Sequence, residues 1–119
     1  MDPADLIDRY CAVWNEASPR MRAEMLSSVW ADGATYTDPG VHAAGADELL
    51  DHIARMQSRR AGSQVIRTSD VDHHHGLARF HWKALAADGT VLREGIDIAF
   101  VNADGSRLDR IIGFFGSLA

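Results

Sequence analysis

The sequence predicts an α+β protein, with helices first and a long antiparallel meander after them. Two amphipathic stretches open the chain and a third follows a short β-prone run. From Gln64 onward the apolar period switches from helical to alternating. Two Gly-containing loops, Ala87-Asp88-Gly89 and Asn102-Ala103-Asp104-Gly105, then separate the last three strands as hairpins. Helices packed on such a strongly twisted sheet leave a one-ended cavity between the two layers.

Asp2-Pro3-Ala4-Asp5 starts the first helix, with Asp2 as N-cap and Pro3 at the first helical position. Leu6, Tyr10 and Trp14 recur every four residues and, with Ile7, Cys11 and Val13, form one broad apolar face. Ser18-Pro19 repeats the capping pattern, and Met21, Met25, Leu26, Val29 and Trp30 mark a second helix that Gly33 ends. Thr35, Tyr36 and Thr37 favour an extended chain, and Pro39 keeps Asp38 out of the α region. Gly40 to Gly45 reads as a loop, and Leu49, Leu50, Ile53 and Met56 mark a third helix from about Ala46 to Gln57. Gln64 to Asp72, Leu77 to Ala86, Thr90 to Val101 and Ser106 to Phe115 read as strands, with His73-His74-His75-Gly76 as a turn.

Residues 1–119 form one domain, long enough to bury a core without staples. Apolar content of 46% and charged content of 24% are ordinary for a soluble globular chain. A net charge of −5 argues against nucleic acid and anionic membranes as partners, since both need clustered Lys and Arg. The single cysteine, Cys11, has no internal disulfide partner, no signal peptide is read at the start, and no apolar run reaches membrane-spanning length. A cytoplasmic protein is expected, and no cofactor is called for.

Helices leading into a meander, together with Trp30-Ala31-Asp32 through Asp38-Pro39, the Gly45 to Leu50 helix start, Gly95-Ile96-Asp97, and Asp104 to Leu108 with Ile111 to Phe115, resemble the NTF2-like superfamily. That resemblance covers nearly the whole chain. It implies a cone-shaped fold shared by ketosteroid isomerases, SnoaL-type polyketide cyclases and scytalone dehydratase, and also by non-catalytic modules.

Within that superfamily the nearest match in chemical groups is the ketosteroid isomerase. Thr35-Tyr36-Thr37-Asp38-Pro39 resembles the Thr-x-x-Asp-Pro context of its base, Arg9-Tyr10 its oxyanion tyrosine, and Ile96-Asp97 its second, protonated oxyanion donor. The resemblance implies Asp38 as general base with Tyr10 and Asp97 as donors, the second carboxyl being kept neutral by an apolar site as in that enzyme. Such chemistry has a plain requirement: a proton α to a carbonyl leaves only if donors stabilise the enolate as it forms. Trp14, one turn beyond Tyr10, competes for the pocket position.

Asp97 lies between Ile96 and Ile98, where an unpaired carboxylate is expensive if its face is buried. Alternation puts it with Arg93, Gly95 and Ala99, on a face that lines a cavity or meets water. His81 with Asp97 resembles, less specifically, the acid–base pair of the polyketide cyclases. An epoxide-opening reading of the limonene-hydrolase kind needs an Asp-Arg-Asp relay, of which Arg79 or Arg93 with Asp97 supplies only part. The expected pocket wall includes Trp14, Met25, Trp30, Tyr36, Trp82 and Phe114.

Asp70, Asp72 and His73 to His75 look like a metal tract, but consecutive histidines in a turn diverge, so no specific metal is expected. Arg59, Arg60 and Arg67 read as solvated. Ile111-Ile112-Gly113-Phe114-Phe115 places large side chains on both faces of a late strand, so the outer face needs cover. The expectation is a homodimer around a pocket for a small apolar molecule. Its function is carbonyl proton transfer, by isomerisation or cyclisation, or else non-catalytic binding.

Overall fold

The computed structural model describes residues 2–118. Helix α1 runs Pro3–Asn15, with the Asp2 carboxylate accepting from the Ala4 N–H at 2.9 Å. Helix α2 spans Pro19–Ser27, and the Ser18 hydroxyl caps it at the Met21 N–H. Strand β1 is Trp30–Asp38, β2 is Val41–Ala44 and helix α3 is Ala46–Arg59. Strands β3 (Gln64–Arg67), β4 (Asp72–His74), β5 (Leu77–Leu85), β6 (Val91–Val101) and β7 (Leu108–Phe115) complete the chain.

The strands form one open sheet in the order β2-β1-β7-β6-β5-β3, with β4 also on β5. β5, β6 and β7 are antiparallel neighbours, as the hairpin loops require. The sheet as a whole is mixed rather than antiparallel, because β1 runs parallel to β7. No local turn signal announces that pairing.

Five boundaries differ from the sequence reading. Helix α2 ends at Ser27, where the Ser27 and Ser28 hydroxyls bond the carbonyls of Glu24 and Met25. Trp30 already belongs to β1, and Gly33 (φ 75°) sits inside a register shift of that strand instead of ending a helix. The segment after Gly40 is not wholly loop, since β2 pairs with Thr35–Asp38. The strand expected from Gln64 to Asp72 breaks into β3 and β4 along the β5 edge, where the Ser69 hydroxyl accepts the His81 N–H. His73 and His74 lie in β4, leaving His75-Gly76, both at positive φ, as the two-residue hairpin turn.

The helices cover one face of the sheet. Leu6, Ile7, Tyr10 and Val13 of α1, Leu26 of α2, and Leu49 and Ile53 of α3 bury against Phe80, Ala99, Leu108 and Ile111. Polar ties then fix α1 in register. Asn15 exchanges two hydrogen bonds with the Val65 backbone, Gln57 donates to the Trp14 carbonyl at 2.6 Å, and Arg67 grips Asp8 through two bonds. The buried Arg22 guanidinium closes the end of α1 by donating twice to the Glu16 carbonyl. These contacts hold Tyr10 and Trp14 over the sheet.

Candidate functional site

Between the helices and the inner sheet face lies a cavity of about 520 Å³, within the size range of small-molecule sites. Tyr10, Trp14, Tyr36, Asp38, Trp82 and Asp97 all line it. Alternation explains the gathering. Tyr36 and Asp38 are two apart on β1, Trp82 faces inward from β5, and Asp97 faces inward from β6 with Gly95 and Ala99.

Two carboxyl groups form the floor. β7 runs between β1 and β6, with Thr37 opposite Ile112 and Asp97 opposite Gly113. A Cβ on Gly113 would stand 2.8 Å from Asp97 Oδ1 and 3.5 Å from Asp38 Cβ. The missing side chain is therefore what keeps Asp38 and Asp97 in open view of each other across the central strand.

Asp38 is held from two sides. The Tyr36 hydroxyl donates to Oδ2 at 2.7 Å, and the Gly40 N–H donates to Oδ1 at 2.8 Å. Burial, and then the Asp38 charge, push the Tyr36 hydroxyl far above its ordinary pKa, so it stays a donor.

Asp97 is 6% exposed and accepts one bond, from the Trp82 indole N–H at 2.8 Å. Burial pushes its carboxyl up to about 7; the Trp82 bond pulls it down, and the Asp38 charge adds a smaller upward push. Trp82 reaches it by lying across β6 at Gly95, where a Cβ would collide with the indole and with the Phe114 carbonyl. The small residue is a requirement of that hydrogen bond.

The Tyr10 hydroxyl is buried and has no hydrogen-bond partner among the described residues. Burial raises it well above its ordinary value, with Tyr36 and Asp97 adding to the effect; Trp14 pulls the other way without standing in bonding geometry. A buried hydroxyl without a partner costs roughly 1–3 kcal/mol. A ligand oxygen would satisfy it.

Sequence reasoning missed His52 and Phe115. His52 lines the cavity, stacks on Tyr36 at 6.0 Å and meets the Trp14 edge at 5.7 Å. Burial holds it below its ordinary value. Leu49, His52, Ile53 and Met56 follow the i, i+3, i+4, i+7 spacing, a signal that could have found it. Phe115 lines the cavity and meets Trp82 edge-on at 5.8 Å.

Other expected site residues lie elsewhere. Phe114 points to the outer face, 56% exposed, because it is one residue out of phase with Phe115. His81 is exposed on the outer face of β5, flanked by Arg79 and Lys83 and opposite in phase to Phe80 and Trp82. Trp30 is core, stacked on Tyr10 at 5.8 Å, and Met25 packs against the core; neither lines the cavity. Arg79 pairs with Asp72 on the outer face, away from Asp97. The Arg67 guanidinium is ion-paired to Asp8 rather than solvated. Among the described residues no set of three or more His, Cys, Asp or Glu side chains gathers as metal ligands. Cys11 is buried at the cavity wall, its thiol pushed up to about 12 chiefly by burial, and so is a poor nucleophile.

No family model matches the chain, and no curated protein matches it by sequence. Solved structures do match. A SnoaL-like family protein from Agrobacterium tumefaciens, provisionally named an isomerase, superposes with TM-score 0.88 at 26% identity, over 95% of this chain and 96% of its own. The chain has the NTF2-like fold. An NTF2-like protein of unknown function from an Exiguobacterium species superposes with TM-score 0.73 at 19% identity, over 94% and 98% of the two chains. A protein from Sinorhizobium meliloti, provisionally named a polyketide cyclase, also gives 0.73, at 15% identity over 95% and 96%. The pocket described above thus lies between the helices and the inner sheet face of an NTF2-like cone. Among the described residues no helix is long and apolar enough to cross a membrane.

Proposed function

We propose that this NTF2-like protein catalyses proton transfer on a carbonyl compound, with Asp38 as base and Tyr10 and Asp97 as donors to the enolate oxygen. The observation that carries the reading is the floor itself. Two carboxyl groups share one apolar cavity, one gripped by two donors and the other buried with its proton favoured, beside a tyrosine hydroxyl that has no partner. Asp38 takes the α-proton. The carbonyl oxygen, gaining charge, accepts from Tyr10 and from protonated Asp97. In an isomerisation the proton returns to another carbon of the same conjugated unit; in a cyclisation the enolate carbon attacks a second carbonyl carbon, and the alkoxide so formed takes the proton from Asp38. Tyr36 positions the base. Names of the neighbouring structures, isomerase and polyketide cyclase, support this class of chemistry without selecting between its two members.

We further propose that the outer sheet face is covered by a second copy of the chain. Ile96, Ile98, Phe100 and Ile112 stay part-exposed there around the exposed Phe114.

The test uses a small β,γ-unsaturated cyclic ketone, whose conjugated isomer absorbs in the ultraviolet. Isomerisation above the buffer rate is expected, with Asp38→Asn lowering it by about 10²–10⁴-fold, the usual contribution of a positioned base. A parent protein no faster than buffer, still binding the ketone, would leave the non-catalytic binding module as the better account.

A further inference from the structure

The cavity is polarised end to end in a way that proton transfer alone does not use. Its floor is acidic. Its mouth, where α3 ends and β3 and β6 begin, is lined by Arg59, Arg60 and Arg93, and no carboxylate other than Asp38 and Asp97 lines any part of it. The side chains of Arg59 and Arg60 make no ion pair or hydrogen bond among the described residues. Arg93 only rests on the Phe115 ring, 4.2 Å from its centroid. By contrast Arg67, Arg79 and Lys83 each have a carboxylate partner elsewhere on the sheet. Three unpaired guanidinium groups thus converge on one opening of a chain whose net charge is −5.

The charge of one of them, Arg59, is felt inside the cavity at His52. Burial is the main cause that lowers His52, and the Arg55 and Arg59 charges add to it against the opposing pull of Asp38. Between floor and mouth the wall is apolar, with Trp14, Val65, Trp82, Leu92 and Phe115 on it. Arg93 and Asp97 lie on the same face of β6 four residues apart, which at about 3.3 Å per residue is roughly 13 Å.

We propose that the substrate is an amphipathic oxo acid: its carbonyl sits at Asp38 and Asp97, its apolar body along Trp82 and Phe115, and its carboxylate at the Arg59–Arg60–Arg93 mouth. The head of this assignment rests on the proton-transfer reading; the tail rests on the arginines alone. Guanidinium groups suit a carboxylate because their paired N–H donors match its two oxygens. A neutral ligand of the same shape would leave those donors facing water and gain nothing from them.

The probe is a hydroxynaphthyl propanoate, whose phenol stands for the enol oxygen, compared with its methyl ester by fluorescence titration of the full chain. At low salt the acid should bind about tenfold more tightly than the ester, as three weak exposed ion pairs would give, and salt should erode the difference. Arg59→Ala/Arg60→Ala/Arg93→Ala should remove the difference. Arg59→Ala/Arg60→Ala, which keeps the Phe115 contact, should remove part of it. Equal affinity for acid and ester in the parent, or an advantage that survives the triple variant, would overturn the anionic tail. That result with ketone turnover intact would leave the proton-transfer reading standing. Lost turnover with the acid preference intact would instead overturn the carbonyl head.

Discussion

The two faces of β6 and β7 are built from the same stretches of chain and do opposite things. Inward they present Gly95, Asp97, Ala99, Ile111, Gly113 and Phe115; outward they present Ile96, Ile98, Phe100, Ile112 and Phe114. Ordinarily the inner face of a sheet carries the bulk and the outer face the polar groups. Here bulk has been removed from the inside wherever the cavity needs room, and a carboxyl takes part of the space. The outside keeps a full set of large apolar side chains. The space left by Gly95 and Gly113 is taken up by the Trp82 ring and the Asp97 carboxyl, which sets both groups on the floor of the cavity between the helices and the sheet.

The largest expected effect strikes one of those small residues. Gly95→Ala drives a Cβ into the Phe114 carbonyl and the Trp82 ring. It should cost about 2–3 kcal/mol in urea unfolding and displace the indole from Asp97. An unchanged midpoint would mean that the inner face can yield, and that its contrast with the outer face is one of degree.

Next comes Asp97→Asn. With its folded pKa near 7 against about 3.9 unfolded, the native state holds a proton that the unfolded chain releases between those values. Stability should therefore fall as pH rises from about 4 to about 7, by up to a few kcal/mol, and level off above that. The Asn variant keeps the Trp82 acceptor and has no charge to bury. It should lose the fall seen in the parent over that range and be more stable than the parent by about 1–3 kcal/mol above pH 7. Melts of both proteins across the range decide it, and a parent with no such slope would remove the protonated donor.

On the outer face, Ile98→Glu with Phe114→Glu should change the stability of the single chain by less than about 1 kcal/mol while abolishing self-association. Light scattering at micromolar concentration is the measurement. A parent that is already monomeric would show that the outer face is uncovered. The smallest effect belongs to the histidine run: His73→Ala/His74→Ala on the exposed β4 should stay within about 0.5 kcal/mol, with or without a chelator. A melting temperature that drops on chelation in the parent would instead make the run a metal site.

Much of this arrangement was legible in the sequence, and the exceptions share a cause. Hairpins, capped helices and the common face of Arg93, Gly95, Asp97 and Ala99 all follow from signals within about ten residues of chain, though not which way that face points. So did the approach of Tyr10, Asp38 and Asp97 to one cavity, through the resemblance of their contexts. The parallel pairing of β1 with β7 did not, because its partners are more than seventy residues apart and no turn links them. The roles of Gly95 and Gly113 were hidden for the same reason, since each glycine leaves space for a side chain from another strand. Val29 and Trp30 misled because their spacing fits a helix and a strand equally. His52 was readable in its helical spacing but looked like any polar residue on an amphipathic helix.

The place of β7 has a consequence for how the protein comes into being. Synthesis delivers β1 more than sixty residues before β7, yet β7 inserts between β1 and β6. Until residue 108 has emerged, the part of the sheet bearing Asp38 has no edge to join the part bearing Asp97. Closing so long a loop is entropically slow. A nascent chain halted earlier would hold both halves of the floor on separate pieces, with Gly113 not yet between them. The floor of the cavity is thus completed in one step, when β7 joins β1 to β6.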